Sequence, residues 1–185
     1  MSHVRLTALV GGGVLAIASV SHSQSTPPRG AATHITHAEI QDIVRKNAAV
    51  PVSDTQIRVV NVNGEYNVGA GVVRRARPGG PNSIEHSQIS EVYYMIEGTA
   101  TLTTGGTMED AKPAPAESAV VKVLNGPSTS GGKVTGGRSQ TMTAGDVVII
   151  PPNTPHWFSQ IDADIVYLVV RIDPHQVLPA GYGAK

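Results

Sequence analysis

Three side chains, two of them near neighbours in the chain and one far away, are of the types that can hold a cation. His86 and Glu91 fall in Ile84-Glu85-His86-Ser87-Gln88-Ile89-Ser90-Glu91, which runs on into Val92-Tyr93-Tyr94-Met95-Ile96-Glu97-Gly98. His156 falls in Gly145-Asp146-Val147-Val148-Ile149-Ile150-Pro151-Pro152-Asn153-Thr154-Pro155-His156-Trp157-Phe158. Alternate residues of a strand share a face, so Glu91, Tyr93 and Met95 point one way and Val92, Tyr94 and Ile96 the other. His156 and Phe158 pair in the same manner. A carboxylate or imidazole turned into an interior needs a partner. One metal ion shared by His86, Glu91 and His156 would satisfy all three. A metal-free, hydrogen-bonded cluster lining an apolar ligand pocket is the other reading. Tyr93 beside Glu91 is a candidate catalytic hydroxyl, orienting substrate or carrying a proton; its alternative is a packed core tyrosine with a satisfied hydroxyl.

Other residues invite weaker readings. Arg74, Arg75 and Arg77 precede the break Pro78-Gly79-Gly80-Pro81 and could draw an anionic substrate, although solvated arginines at a strand end are the commoner case. An inward Arg171 would pair a substrate carboxylate; an outward one would be solvated. Trp157 is expected on the outer layer and His175 at the surface. His34 and His37 read as solvated or capping residues at a helix start.

The elements that must carry these groups are short. Thr36-His37-Ala38-Glu39 has capping-box spacing, and Ile40, Ile43 and Val44 continue as one apolar stripe, predicting a helix over 37–47. Beyond it the period becomes two. Strands are expected at 56–62, 66–74, 91–97, 99–104, 120–124, 139–143, 146–150, 156–160 and 164–172, the first pair joined by an Asn63-Gly64 hairpin. Many short strands with turns between them predict an all-β sandwich or closed barrel, and we expect the barrel, with the helix packed outside. The segments 105–118 and 125–137 are rich in Gly, Pro and Ser and read as long loops, as a lid, a subunit contact or simply mobile chain.

Composition narrows the function. The 185 residues carry no net charge, so the basic face of a nucleic-acid binder is missing. Cysteine is absent, which excludes thiolate chemistry and disulfides and leaves His, carboxylate, carbonyl or water as metal ligands. Seven aromatic residues (five Tyr, one Trp, one Phe) are too few for the girdles of a membrane-spanning barrel. At the start, Arg5, an apolar run from Leu6 to Val20 and the small polar Ser19, Ser21 and Ser23 follow the plan of a secretory signal. We therefore expect a signal peptide at 1–23, a flexible leader at 24–35 and one domain at 36–185, exported to the periplasm or secreted, with no membrane contact after cleavage.

The two chemistry-bearing segments resemble the paired motifs of the cupin superfamily, G-x5-H-x-H-x3,4-E-x6-G and G-x5-P-x-G-x2-H-x3-N. His86, Glu91 and Gly98 match the first; Gly145, Pro151 and His156 match the second. Ile84 stands at the family's first His, Asn153 at its Gly and Gln160 at its final Asn. Asn tolerates the left-handed conformation that a Gly would supply. The resemblance implies a double-stranded β-helix, or jelly-roll barrel, usually paired as a homodimer, with a divalent ion (Fe, Mn, Ni or Zn) held by three His and one Glu. Here His86, Glu91 and His156 make a set resembling the two-His-one-carboxylate triad of non-haem iron sites. Oxygenase, lyase, isomerase or decarboxylase action on a small organic molecule is then expected, against a non-catalytic small-ligand binder that has lost its metal.

Overall fold

Thr36 Oγ1 accepts the backbone amide of Glu39 at 3.1 Å and so starts α1 (His37–Lys46), as the capping-box spacing predicts. Ile40, Ile43 and Val44 of its apolar stripe pack on Ile57, Val72 and Val166. The computed structural model describes residues 31–80 and 82–184. The expected signal segment and residues 24–30 of the leader lie outside the described residues. Among those described, no helix is long and apolar enough to cross a membrane.

Strands follow in chain order: β1 (Val52–Val62), β2 (Tyr66–Arg75), β3 (Ser83–His86), β4 (Ser90–Glu97), β5 (Thr99–Thr104), β6 (Thr107–Met108), β7 (Lys112–Pro113), β8 (Ser128–Gly131), β9 (Val134–Thr135), β10 (Arg138–Thr143), β11 (Val147–Ile150), β12 (His156–Ile161) and β13 (Ile165–Asp173). β1 and β2 meet at Asn63 and Gly64, both with positive φ (53° and 80°), the hairpin expected there. One sheet has the order β1-β2-β13-β4-β11 and a second β10-β5-β12-β3-β8-β7; β6 and β9 form a separate pair. All pairings are antiparallel. One core joins the inner faces of the two large sheets. Tyr93 and Met95 of β4 and Tyr167 and Val169 of β13 meet Leu102 of β5 and Phe158 of β12 there. A fully buried side chain of this size contributes about 1.5–3 kcal/mol.

Among the described residues the expected closed barrel does not form, and jelly-roll closure is absent with it. β1 and β11 end one sheet, and β10 and β7 end the other. The chain changes sheet through turns that carry no ladder. At Gly98, between β4 and β5, φ is +85° and a Cβ would stand 2.3 Å from the Asp164 carbonyl oxygen, so the corner is too tight for a side chain. Alternating burial tells which face of a strand is dry, and it reads the same whether or not the outermost strands pair. A second correction concerns 120–124, predicted as a strand. Val120–Asn125 is a π-helical turn, started by the amides of Val121 and Lys122 donating to the Ser118 carbonyl at 3.1 and 2.9 Å.

Candidate metal centre

β4 turns Glu91, Tyr93 and Met95 inward, all buried, while Tyr94 between them is exposed. That is the face division the alternation predicts. His86 closes β3 and His156 opens β12; both are buried. The turn before His156 is anchored on the first histidine, since the Asn153 amide donates to the His86 carbonyl at 2.8 Å. Asn153 has φ 57°, the left-handed conformation that the Gly-to-Asn exchange requires. Ile84, where the family's first His would stand, is the cross-strand partner of His156.

The three side chains converge. Their candidate ligand atoms all lie within 4.8 Å of one another. Glu91 Oε2 is 3.4 Å from His86 Nε2 and 3.4 Å from His156 Nε2. Ligands held around 2.1 Å from one ion at near right angles stand ~3 Å apart, so the spacing suits a shared cation.

Hydrogen bonds fix which atoms face inward. Ser128 Oγ donates its one hydrogen to the Gly126 carbonyl at 2.8 Å, so it accepts from His86 Nδ1 at 2.9 Å. The Thr154 carbonyl can only accept, so His156 Nδ1 donates to it at 3.0 Å. With Nδ1 the donor on each ring, an imidazole in its neutral form presents the lone pair of Nε2 toward Glu91 Oε2. Among the described residues, His156 Nε2 is buried with no hydrogen-bond partner. Two imidazoles and a carboxylate turned on one another form a group that could hold a divalent ion.

The other carboxylate oxygen is held from behind. Arg171 Nε donates to Glu91 Oε1 at 3.2 Å, its Nη1 to Gln56 Oε1 at 2.7 Å and its Nη2 to Asp54 Oδ2 at 2.5 Å. Gly71 leaves room for this guanidinium, since a Cβ there would meet Nη1 at 3.2 Å and the Thr55 carbonyl at 2.8 Å. Partners that orient ligands in this way tune a metal site. Tyr93 donates to Glu91 Oε2 at 2.6 Å. Burial opposes ionisation of Glu91, but positive charge on His86, carried when that ring is protonated, and on Arg171 outweighs it and holds the carboxyl well below the usual carboxylate range. Burial and the Glu91 charge push the Tyr93 phenol well above its ordinary value, so it stays protonated. Burial lowers His156 to about 4, which keeps its imidazole neutral at pH 7.

The remaining sequence candidates separate cleanly. Arg171 points inward, yet its partners are the protein's own Glu91 and Asp54. Arg74 pairs with Asp164, and Arg77 is exposed. Trp157 is half-buried and donates from Nε1 to the Gly80 carbonyl at 3.0 Å. His34, His37 and His175 are exposed. Ser128, Gln56 and Asp54 were not singled out in the sequence. Ser128 sits in the expected loop 125–137, where only its pairing with β3 reveals it; the Gly69-Ala70-Gly71 pattern inside β2 was the one hint that a large side chain crosses the sheet.

No curated protein matches the sequence significantly. In backbone, the chain is similar to the protein BH2720 of Bacillus halodurans (TM-score 0.47, 9% identity, 83% of this chain and 89% of that one). It is similar also to EutQ of Clostridium difficile (TM-score 0.38, 14% identity, 71% and 68%). A recombinant oxalate oxidase in complex with glycolate has TM-score 0.42 and 18% identity over 68% and 52%. The cupin family model matches residues 52–180, which hold every residue of the His86–Glu91–His156 cluster, and the chain belongs to that family.

Proposed function

We propose that this cupin binds one divalent ion through His86 Nε2, Glu91 Oε2 and His156 Nε2 and acts there on a small organic molecule. The orphaned His156 Nε2, aimed at two further lone-pair atoms, carries the reading. When bound, such an ion supplies Lewis acidity or activation of dioxygen, with coordination positions left open for substrate. The residues do the rest. Arg171 fixes Glu91 Oε1 so that Oε2 faces the histidines. Ser128 and the Thr154 carbonyl hold the two imidazoles in the binding tautomer. Tyr93 keeps a proton at its hydroxyl beside Glu91 Oε2, where it can orient a bound molecule or pass that proton. An open groove beside Ile84, lined also by Asn82, Lys112, Pro113, Val120 and Ser130, includes none of the three cluster residues in its walls.

Ile84 favours a second reading, a small-ligand binder without metal, because it removes one imidazole from the family's set. Glu91→Gln separates the two. On the first reading, equilibrium dialysis with Mn(II), Co(II) or Zn(II) shows uptake by the untagged protein and none by the variant. Uptake unchanged in the variant contradicts it. Export and pairing of two copies belong to the same reading on sequence grounds; cell fractionation and sedimentation test them.

A further inference from the structure

Arg75 is used by nothing described so far. It ends β2 on the inner face, two residues beyond the core residue Val73, with its guanidinium 5.7 Å from the centroid of the Phe158 ring. Its Nε donates to Tyr167 Oη at 3.0 Å. Among the described residues no carboxylate pairs with it, whereas its neighbour Arg74 pairs with Asp164 and Arg171 with Glu91 and Asp54. Asp54, an acidic group whose charge it feels, bonds Arg171 through Oδ2 and makes no hydrogen bond to Arg75. The half-buried guanidinium rests over the Phe158 ring, and its two outer nitrogens make no hydrogen bond among the described residues, so their N–H fork is free to donate.

The same rings reach the metal cluster. Tyr167 lies 4.5 Å from Tyr93, ring centre to ring centre, and Tyr93 lies 6.1 Å from His156 while its hydroxyl rests on Glu91. Phe158 stacks on Tyr93 from the other sheet. One aromatic wall therefore runs from the ligand cluster to a free guanidinium.

We propose that Arg75 is the anion-recognition residue of this site, and that the molecule it takes is a small monocarboxylate with an apolar or aromatic body. A guanidinium matches a carboxylate through two parallel hydrogen bonds. A phosphate dianion would call for further cations, and Arg74 is committed while Arg77 points to solvent. The proposal rests on the reading of the site as a metal cupin taking a small molecule.

The test is calorimetric titration of the full chain, loaded with Co(II), with benzoate and with its uncharged counterpart benzamide. Wild type should bind benzoate at least tenfold more tightly than benzamide. Arg75→Gln should abolish that preference and leave Co(II) affinity unchanged; Arg75→Lys, which keeps the charge and loses the fork, should fall between. Equal benzoate affinity in wild type and Arg75→Gln overturns the proposal, as does the absence of benzoate binding to cobalt-loaded wild type. Failure of Co(II) itself to bind removes the metal reading instead, and the same comparison on metal-free protein still decides the role of Arg75.

Discussion

At the scale of the residue, the site is defined by who holds the proton. Both Nδ1 atoms donate to oxygen acceptors, so in the neutral rings both Nε2 atoms are lone pairs beside a carboxylate. Ile84 is the residue that departs from this plan. It precedes His86 by two on β3, so the two side chains share a face, and it is the cross-strand partner of His156. Ile84→His should return a third imidazole to the cluster and tighten Zn(II) binding about tenfold, or ~1.4 kcal/mol. Competition against a chromophoric chelator measures it, and affinity no better than wild type would show that position 84 lies out of reach of the ion.

At the scale of the element, β8 is the support that the sequence concealed. Residues 125–137 look like a loop because Gly, Pro and Ser dominate, yet Ser128–Gly131 pairs with β3 and brings Ser128 to His86. Ser128→Ala should weaken metal binding roughly 10–100-fold, the usual cost of losing a ligand's hydrogen-bond partner. Unfolding in urea should shift little by comparison, since the β3–β8 ladder needs only backbone. A variant that binds metal as wild type does would show that His86 needs no such support. The strands bearing the ligands were legible for the opposite reason. Buried Glu91, Tyr93 and Met95 alternate with half-buried or exposed neighbours, and that period survives in the sequence. Val120–Leu124 misled because an apolar run of that length carries no period long enough to tell strand from helical turn.

At the scale of the whole molecule, acid should destabilise the metal-stripped protein. His156 is held at about 4 in the folded chain against 6.5 when free, so between those values the unfolded chain binds a proton that the folded chain refuses. Glu91, depressed in the folded state, acts in the same direction below its ordinary range. Stability is therefore complete above about pH 6.5 and lost as pH falls, by about 2 kcal/mol at pH 5 from His156 alone. Urea titrations at pH 8 and pH 5 check this, and equal midpoints would contradict it. The same scale marks the limit of the sequence. Motif spacing around His86, Glu91 and His156 foretold that these three side chains converge, as they do. Barrel closure was not legible, because free edges at β1 and β11 leave the same alternating pattern as paired ones. The Arg171 network escaped for a related reason: Asp54, Gln56 and Arg171 are distant in sequence and meet only through strand register.

The most direct measurement is an anomalous difference map from crystals of the untagged protein grown with Mn(II) or Zn(II). The account predicts one strong peak about 2.0–2.3 Å from His86 Nε2, Glu91 Oε2 and His156 Nε2. Saturating metal with no peak among those three atoms, while their side chains keep the arrangement described, would contradict it.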